Sequence, residues 1–176
     1  MDFKKCTDFE TSFQLSELGV SSNEKAGFYW KVKKEGFLVI GNDYKDLEEH
    51  VEFVAGVSTS KKDIKSLEVE DLLLYLPHKI YSADDKYKSN DLVITFDKDA
   101  KNNTLIFNVG YYCENNLLVV FPESYHEFDN KLSSYKTNEF LIKALAEITI
   151  WFKKALDEGE IIKREDRFVV GKLKTF

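Results

Sequence analysis

The chain has 176 residues, a formal net charge of −6, and 43% hydrophobic against 32% charged residues. That length supports one hydrophobic core and not two, so a single domain over 1–176 is expected, without bulk disorder. The negative balance repels polyanions, and of 25 cationic residues only Arg164 and Arg167 are arginine, inside "KREDR", which excludes nucleic acid and anionic membranes as expected partners.

The opening "MDFKKCTDFETSF" lacks an apolar run of signal-peptide length, and "LLVVF" is far below the roughly 20 residues of a membrane span. Two cysteines, Cys6 and Cys113, make no disulfide framework. A reduced, cytoplasmic protein is the expectation.

After a loosely patterned N-terminus, "AGFYWKVKKEGFLVIGN" reads as a β-hairpin. Phe28, Trp30 and Val32 alternate, "KKEG" turns, and 37–40 return. A helix is expected over 43–55, capped by Asn42 or Asp43. Tyr44, Leu47, Val51 and Val54 form its apolar stripe, Gly56 closes it, and Asp46, Glu48, Glu49 and Glu52 make an acidic flank. "SKKDIKSLEVEDLLLYLPHKI" predicts one or two short helices that stop near Pro77.

"DLVITF" and "TLIFNVGYY" alternate as strands around the polar loop "DKDAKNN". "LLVVF" has no polar face, which predicts a central strand covered on both sides and ended by Pro122. "NEFLIKALAEITIWFKKALDEG" is the strongest helix signal, running from Thr137 or Asn138 to Gly159. Leu141, Leu145, Ile148, Phe152 and Ala155 form one stripe, widened by Ile142, Ile150, Trp151 and Leu156. A hairpin, "EIIKREDRFVVGKL", follows, with Lys and Arg guarding its edges. Hairpin, helices, three-stranded meander, long helix and terminal hairpin define an α+β fold with a mostly antiparallel sheet packed against the long apolar helix.

Catalytic motifs are sparse. Cys113 and His126 would lie at opposite ends of a strand, roughly 17 Å apart, so they make no dyad. Ser124 has no "GxSxG" elbow, and the Ser-x-x-Lys matches "SNEK", "STSK" and "SSYK" lack companion motifs. His50, His78 and His126 have no metal-ligand spacing. In "DKDAKNN" Lys101 falls at the fifth position of a would-be calcium loop, so no metal is expected. Neither "GxG" nor "GxxxxGK[ST]" occurs, and no cofactor is expected.

What remains is charge and aromatic patterning. Residues 102–130 contain no Lys or Arg, yet hold Glu114, Glu123, Glu127 and Asp129 with Tyr111, Tyr112 and Tyr125. Buried sheet accounts for the missing cations over 102–121. "PESYHEFDN" reads as a solvated loop, where burial offers no such account. Glu123, Tyr125, Glu127, Phe128 and Asp129, extended by Glu48, Glu49 and Glu52, therefore form the candidate surface for a basic protein partner. The reading is a non-enzymatic binding module, most concretely an inhibitor or immunity-type protein that neutralises a basic enzyme such as a nuclease toxin. Two alternatives stand beside it. One is a small enzyme or ligand binder with a pocket between the sheet and the 138–157 helix; the other is an accessory subunit of a phage or cellular assembly. Oligomeric state is not fixed by the sequence.

Overall fold

The computed structural model describes residues 6–20, 26–32, 51–58, 60, 63–83, 88–99, 104–113, 116–125 and 134–171. Among them are three helices, α1 (Phe9–Glu17), α2 (Val69–Tyr75) and α3 (Ser134–Asp157). Nine strands accompany them: β1 (Ala26–Val32), β2 (Val51–Val57), β3 (Ile64–Ser66), β4 (Lys79–Tyr81), β5 (Ser89–Asp99), β6 (Thr104–Cys113), β7 (Asn116–Tyr125), β8 (Ile161–Arg164) and β9 (Arg167–Val170). Two sheets result, β2–β1–β3 and β7–β6–β5–β4–β9–β8. Every pairing is antiparallel except β4 with β9. The α+β class expected from the sequence is the one adopted.

The N-terminus is more regular than its loose pattern suggests. Asp8 caps α1 by accepting from the Thr11 amide at 2.8 Å. Gly19, at φ +70°, ends the helix, with the Val20 amide reaching back to the Leu15 carbonyl. Phe9, Ser12 and Leu15 are its buried face.

The helix expected over 43–55 is corrected: Val51–Val57 is strand β2. Its Phe53 lies between Phe28, stacked at 5.5 Å, and Trp30 at 4.8 Å, a packing that a helix would not supply. Phe9 of α1 meets Trp30 edge-on at 5.6 Å. Gly56 does not close a helix. It pairs with Gly27 inside the sheet, both with positive φ, +150° and +146°, in a region that only glycine tolerates well. The described partner of β1 on this side is thus β2, while the return strand read at 37–40 and the stripe residues Tyr44 and Leu47 lie outside the described residues.

The "SKKD…" stretch divides into β3 and α2, with Pro77 following the helix as expected. β5 and β6 pair from Asp91–Tyr112 to Asp99–Thr104, so Asp97 and Asp99 belong to a strand and not to a loop.

Two readings of β7 are also corrected. Among the described strands "LLVVF" lies at the edge of its sheet, not at the centre. Between Tyr111–Val119 and Tyr112–Leu117 the register slips by one residue, leaving Leu118 as an extra. The bulge lets the consecutive Leu118 and Val119 both pack on the core. Nor does Pro122 end the strand. It pairs opposite Asn108, and on an edge strand the missing N–H is tolerated.

Helix α3 has 24 residues and begins earlier than Thr137. Ile142, Leu145, Ile148, Phe152 and Ala155 are buried, whereas Lys143, Glu147, Lys154 and Asp157 form a polar stripe, so over 141–157 the apolar face is narrower than its sequence suggests. Gly159, at φ +73°, follows the end of the helix. Under α3 lie Val109 and Tyr111 of β6 and Ile80 of β4, all fully buried, and Leu15, Val20 and Leu67 join them in one contiguous core. Each such aliphatic side chain contributes roughly 1.5–3 kcal/mol.

Gly110 is the tightest point of the meander. A Cβ there would stand 2.5 Å from the Val119 carbonyl oxygen and 2.7 Å from the Tyr112 ring. Backbone cannot yield as a side chain can, so Gly110→Ala is expected to destabilise the fold by about 1–3 kcal/mol, lowering the urea midpoint without changing the slope.

Candidate functional site

Of the eight residues proposed for the acidic surface, Glu123 and Tyr125 lie on β7. Glu123 and Tyr125 occupy strand positions opposite Phe107 and Leu105, which corrects the reading of 122–125 as loop. Glu127, Phe128 and Asp129 lie outside the described residues, as do Glu48 and Glu49. Glu52 is exposed on β2, opposite Lys31 of β1. Among the described strands it therefore sits on the outer strand of the smaller sheet, while Glu123 is on an outer strand of the larger one. The helical flank that was to unite Glu52 with its neighbours is absent at this residue.

The thiol and histidine sort out by position. Cys113 pairs with Asn116 where β6 ends and β7 begins, and Tyr125 lies at the far end of β7. Nine residue steps put roughly 30 Å between those ends, further than the sequence implied because the strand continues past Pro122. His126 and His50 are outside the described residues, and His78 is exposed between α2 and β4. Among the described residues no three His, Cys, Asp or Glu side chains gather as a metal site.

Two buried polar groups are structural. Thr7, Ser12 and Ser66 form a hydroxyl cluster that ties the start of α1 to the end of β3. The Thr7 and Ser12 oxygens are 2.7 Å apart, the Ser66 hydroxyl donates to the Thr7 carbonyl, and the Leu67 amide donates to Thr7 Oγ1 at 2.9 Å. Their bonds run to one another and to backbone, so the cluster has the character of a clasp. Cys6 beside it is buried. Desolvation raises its pKa, the Ser66 hydrogen bond opposes the rise, and Glu68 adds to it, so the thiol is a poor nucleophile there.

Tyr111 is the other group. It is fully buried, and its hydroxyl donates to the Pro77 carbonyl at 2.7 Å. Its ring meets Trp151 at 6.1 Å. The space where a catalytic pocket between sheet and helix was considered is filled at this point by Tyr111, Leu145, Ile148 and Phe152, each no more than 2% exposed.

One arrangement escaped the sequence reading. "KREDR" looked self-cancelling, yet the β8–β9 hairpin sets Arg164 directly opposite Arg167. The two-residue spacing between them was the available signal.

Comparison with protein-family models, curated proteins and solved structures finds no match. Among the described residues, no helix is long and apolar enough to cross a membrane.

Burial holds the Tyr111 phenol protonated far beyond its usual range. The sign follows: the unfolded chain releases this proton near pH 10 and the folded chain does not. The contribution is therefore complete below about pH 10 and is lost as pH rises through the folded value. Tyr111→Phe is expected to cost about 0.5–1.5 kcal/mol at neutral pH, more if the Pro77 carbonyl stays dry, and to flatten the decline in stability above pH 10. Urea denaturation across that range checks both.

Proposed function

We propose that this chain is an acidic, non-enzymatic module that binds a basic protein, most concretely an inhibitor or immunity-type protein that covers the cationic site of an enzyme such as a nuclease toxin. The observation that carries the reading is the stretch 102–130, which has no Lys or Arg and includes Glu114, Glu123, Glu127 and Asp129. It spans β6 and the outer strand β7.

Burial explains the lack of cations on an inner strand such as β6. It does not explain it on an edge strand, where lysine is a common guard against unwanted pairing. Leaving this edge acidic favours approach by a basic surface, speeding encounter and setting orientation, while Tyr125 and Phe128 offer contact area. A reduced cytoplasmic setting is part of the same proposal.

The test is affinity capture from native cell extract with the full chain and with Glu123→Lys, Glu127→Lys and Asp129→Lys combined. The wild type is expected to retain, in stoichiometric amount and in a salt-sensitive manner, a protein of high isoelectric point. The triple variant, with unchanged far-ultraviolet circular dichroism, should lose it. Equal capture by both chains would place the binding surface elsewhere.

A further inference from the structure

We infer that the open face of the β4–β9–β8 end of the large sheet is a second docking surface, which takes a partner segment alternating carboxylate and apolar side chains. It lies at the end of the sheet opposite β7 and does not depend on the reading above.

Arg164 and Arg167 are the only arginines among 25 cationic residues. If the hairpin needed charge alone, lysine, which supplies every other cation, would serve. What arginine adds is a planar fork of N–H donors that matches a carboxylate in two bonds.

The strand register puts both guanidinium side chains on one face, because residues directly opposed across a ladder share a face. Two residues away on that same face, Ile162 faces Val169, and Val169 is level with Tyr81 of β4. The intervening residues Ile161, Phe168 and Val170 turn the other way, into the core under α3. The open face therefore carries an apolar strip, Tyr81–Val169–Ile162, ending in two guanidiniums.

Ile162 is 41% exposed, a large aliphatic group left in water. The Arg167 guanidinium carbon stands 5.2 Å from the Tyr81 ring centroid, a cation–π contact that keeps the fork beside the strip. Its approach to Asp166, 3.8 Å from Nε to Oδ1 with both side chains more than half exposed, is too long for a hydrogen bond and leaves the donors available.

Charge selects carboxylate over phosphate. Arg164 and Arg167 on this face are balanced by Glu165 and Asp166 of the turn, Lys163 lying on the Phe168 side, and a site with so little net field suits a monoanion held by directed bonds better than a dianion held by field. The apolar strip beside the fork calls for an apolar neighbour, hence a polypeptide segment.

The probe is the peptide acetyl-Glu-Leu-Glu-Leu-Glu-amide, titrated into the full ¹⁵N-labelled chain. Saturable amide shifts are expected at Tyr81, 162–164 and 167–169. The variant R164K/R167K, which keeps both charges, should bind at least about tenfold more weakly, because the bidentate geometry is gone. Unchanged affinity in that variant, shifts confined to other strands, or no shift at millimolar peptide would each overturn the inference. Sodium phosphate shifting these amides while the peptide does not would also overturn it, replacing the segment by a free oxyanion. So would shifts that depend on protein concentration alone and vanish in R164K/R167K, since the occupant would then be a second copy of this chain.

Discussion

The fully buried Tyr111 ring beneath α3, with its hydroxyl fixed on the Pro77 carbonyl, is the contact on which the larger half of the molecule depends. It joins three parts of the chain that are distant in sequence: strand β6, the turn after α2, and Trp151 of α3. A phenol in this position gains from apolar burial and must also satisfy its oxygen, so both partners are constrained together. Val109, Leu145, Ile148 and Phe152 close around it. Once α3 is seated there, the described helical packing falls on one face of the six-stranded sheet, because α2 and α1 pack against α3 in turn.

Two consequences bear on function. The ends of the sheet are strands of opposite character: β7 belongs to a stretch without cations, while β8 leads into the hairpin that holds both arginines. The interior, by contrast, is spent on packing. The thiol, phenol and hydroxyls that the described structure buries are either raised in pKa by desolvation or engaged with backbone.

Legibility followed the strength of periodic signals. The α3 stripe and the two alternations, Leu92, Ile94 and Phe96 and then Leu105, Phe107, Val109 and Tyr111, were long enough to reveal α3, β5 and β6, although α3 starts earlier and β5 runs on to Asp99. "VEFVAGV" was not. Val51 and Val54 fit a helical stripe, but Val51, Phe53, Ala55 and Val57 fit a strand equally well, and the choice was made by Phe28 and Trp30, which are remote in sequence. Pro122 and the "LLVVF" run misled for a related reason. A bulge and an edge position change what proline and unbroken hydrophobicity mean, and neither is visible without the partner strand. Helix α1 went unread although Asp8 and Gly19 marked its ends. Of the candidate surface, Glu123 and Tyr125 keep a common strand, whereas Glu52 moves to another sheet. The arginine pair needed the register of a hairpin to appear.

The Tyr111–α3 contact is the centre of stability, and the two ends of the large sheet are held less firmly. Hydrogen exchange of backbone amides tests this most directly. Amides of 107–111 and 142–152 should exchange slowest and with one common free energy, that of global unfolding, while those of β7 and of the β8–β9 hairpin exchange sooner through local opening. Exchange in β6 no slower than in β7, or α3 opening independently of β6, would contradict it.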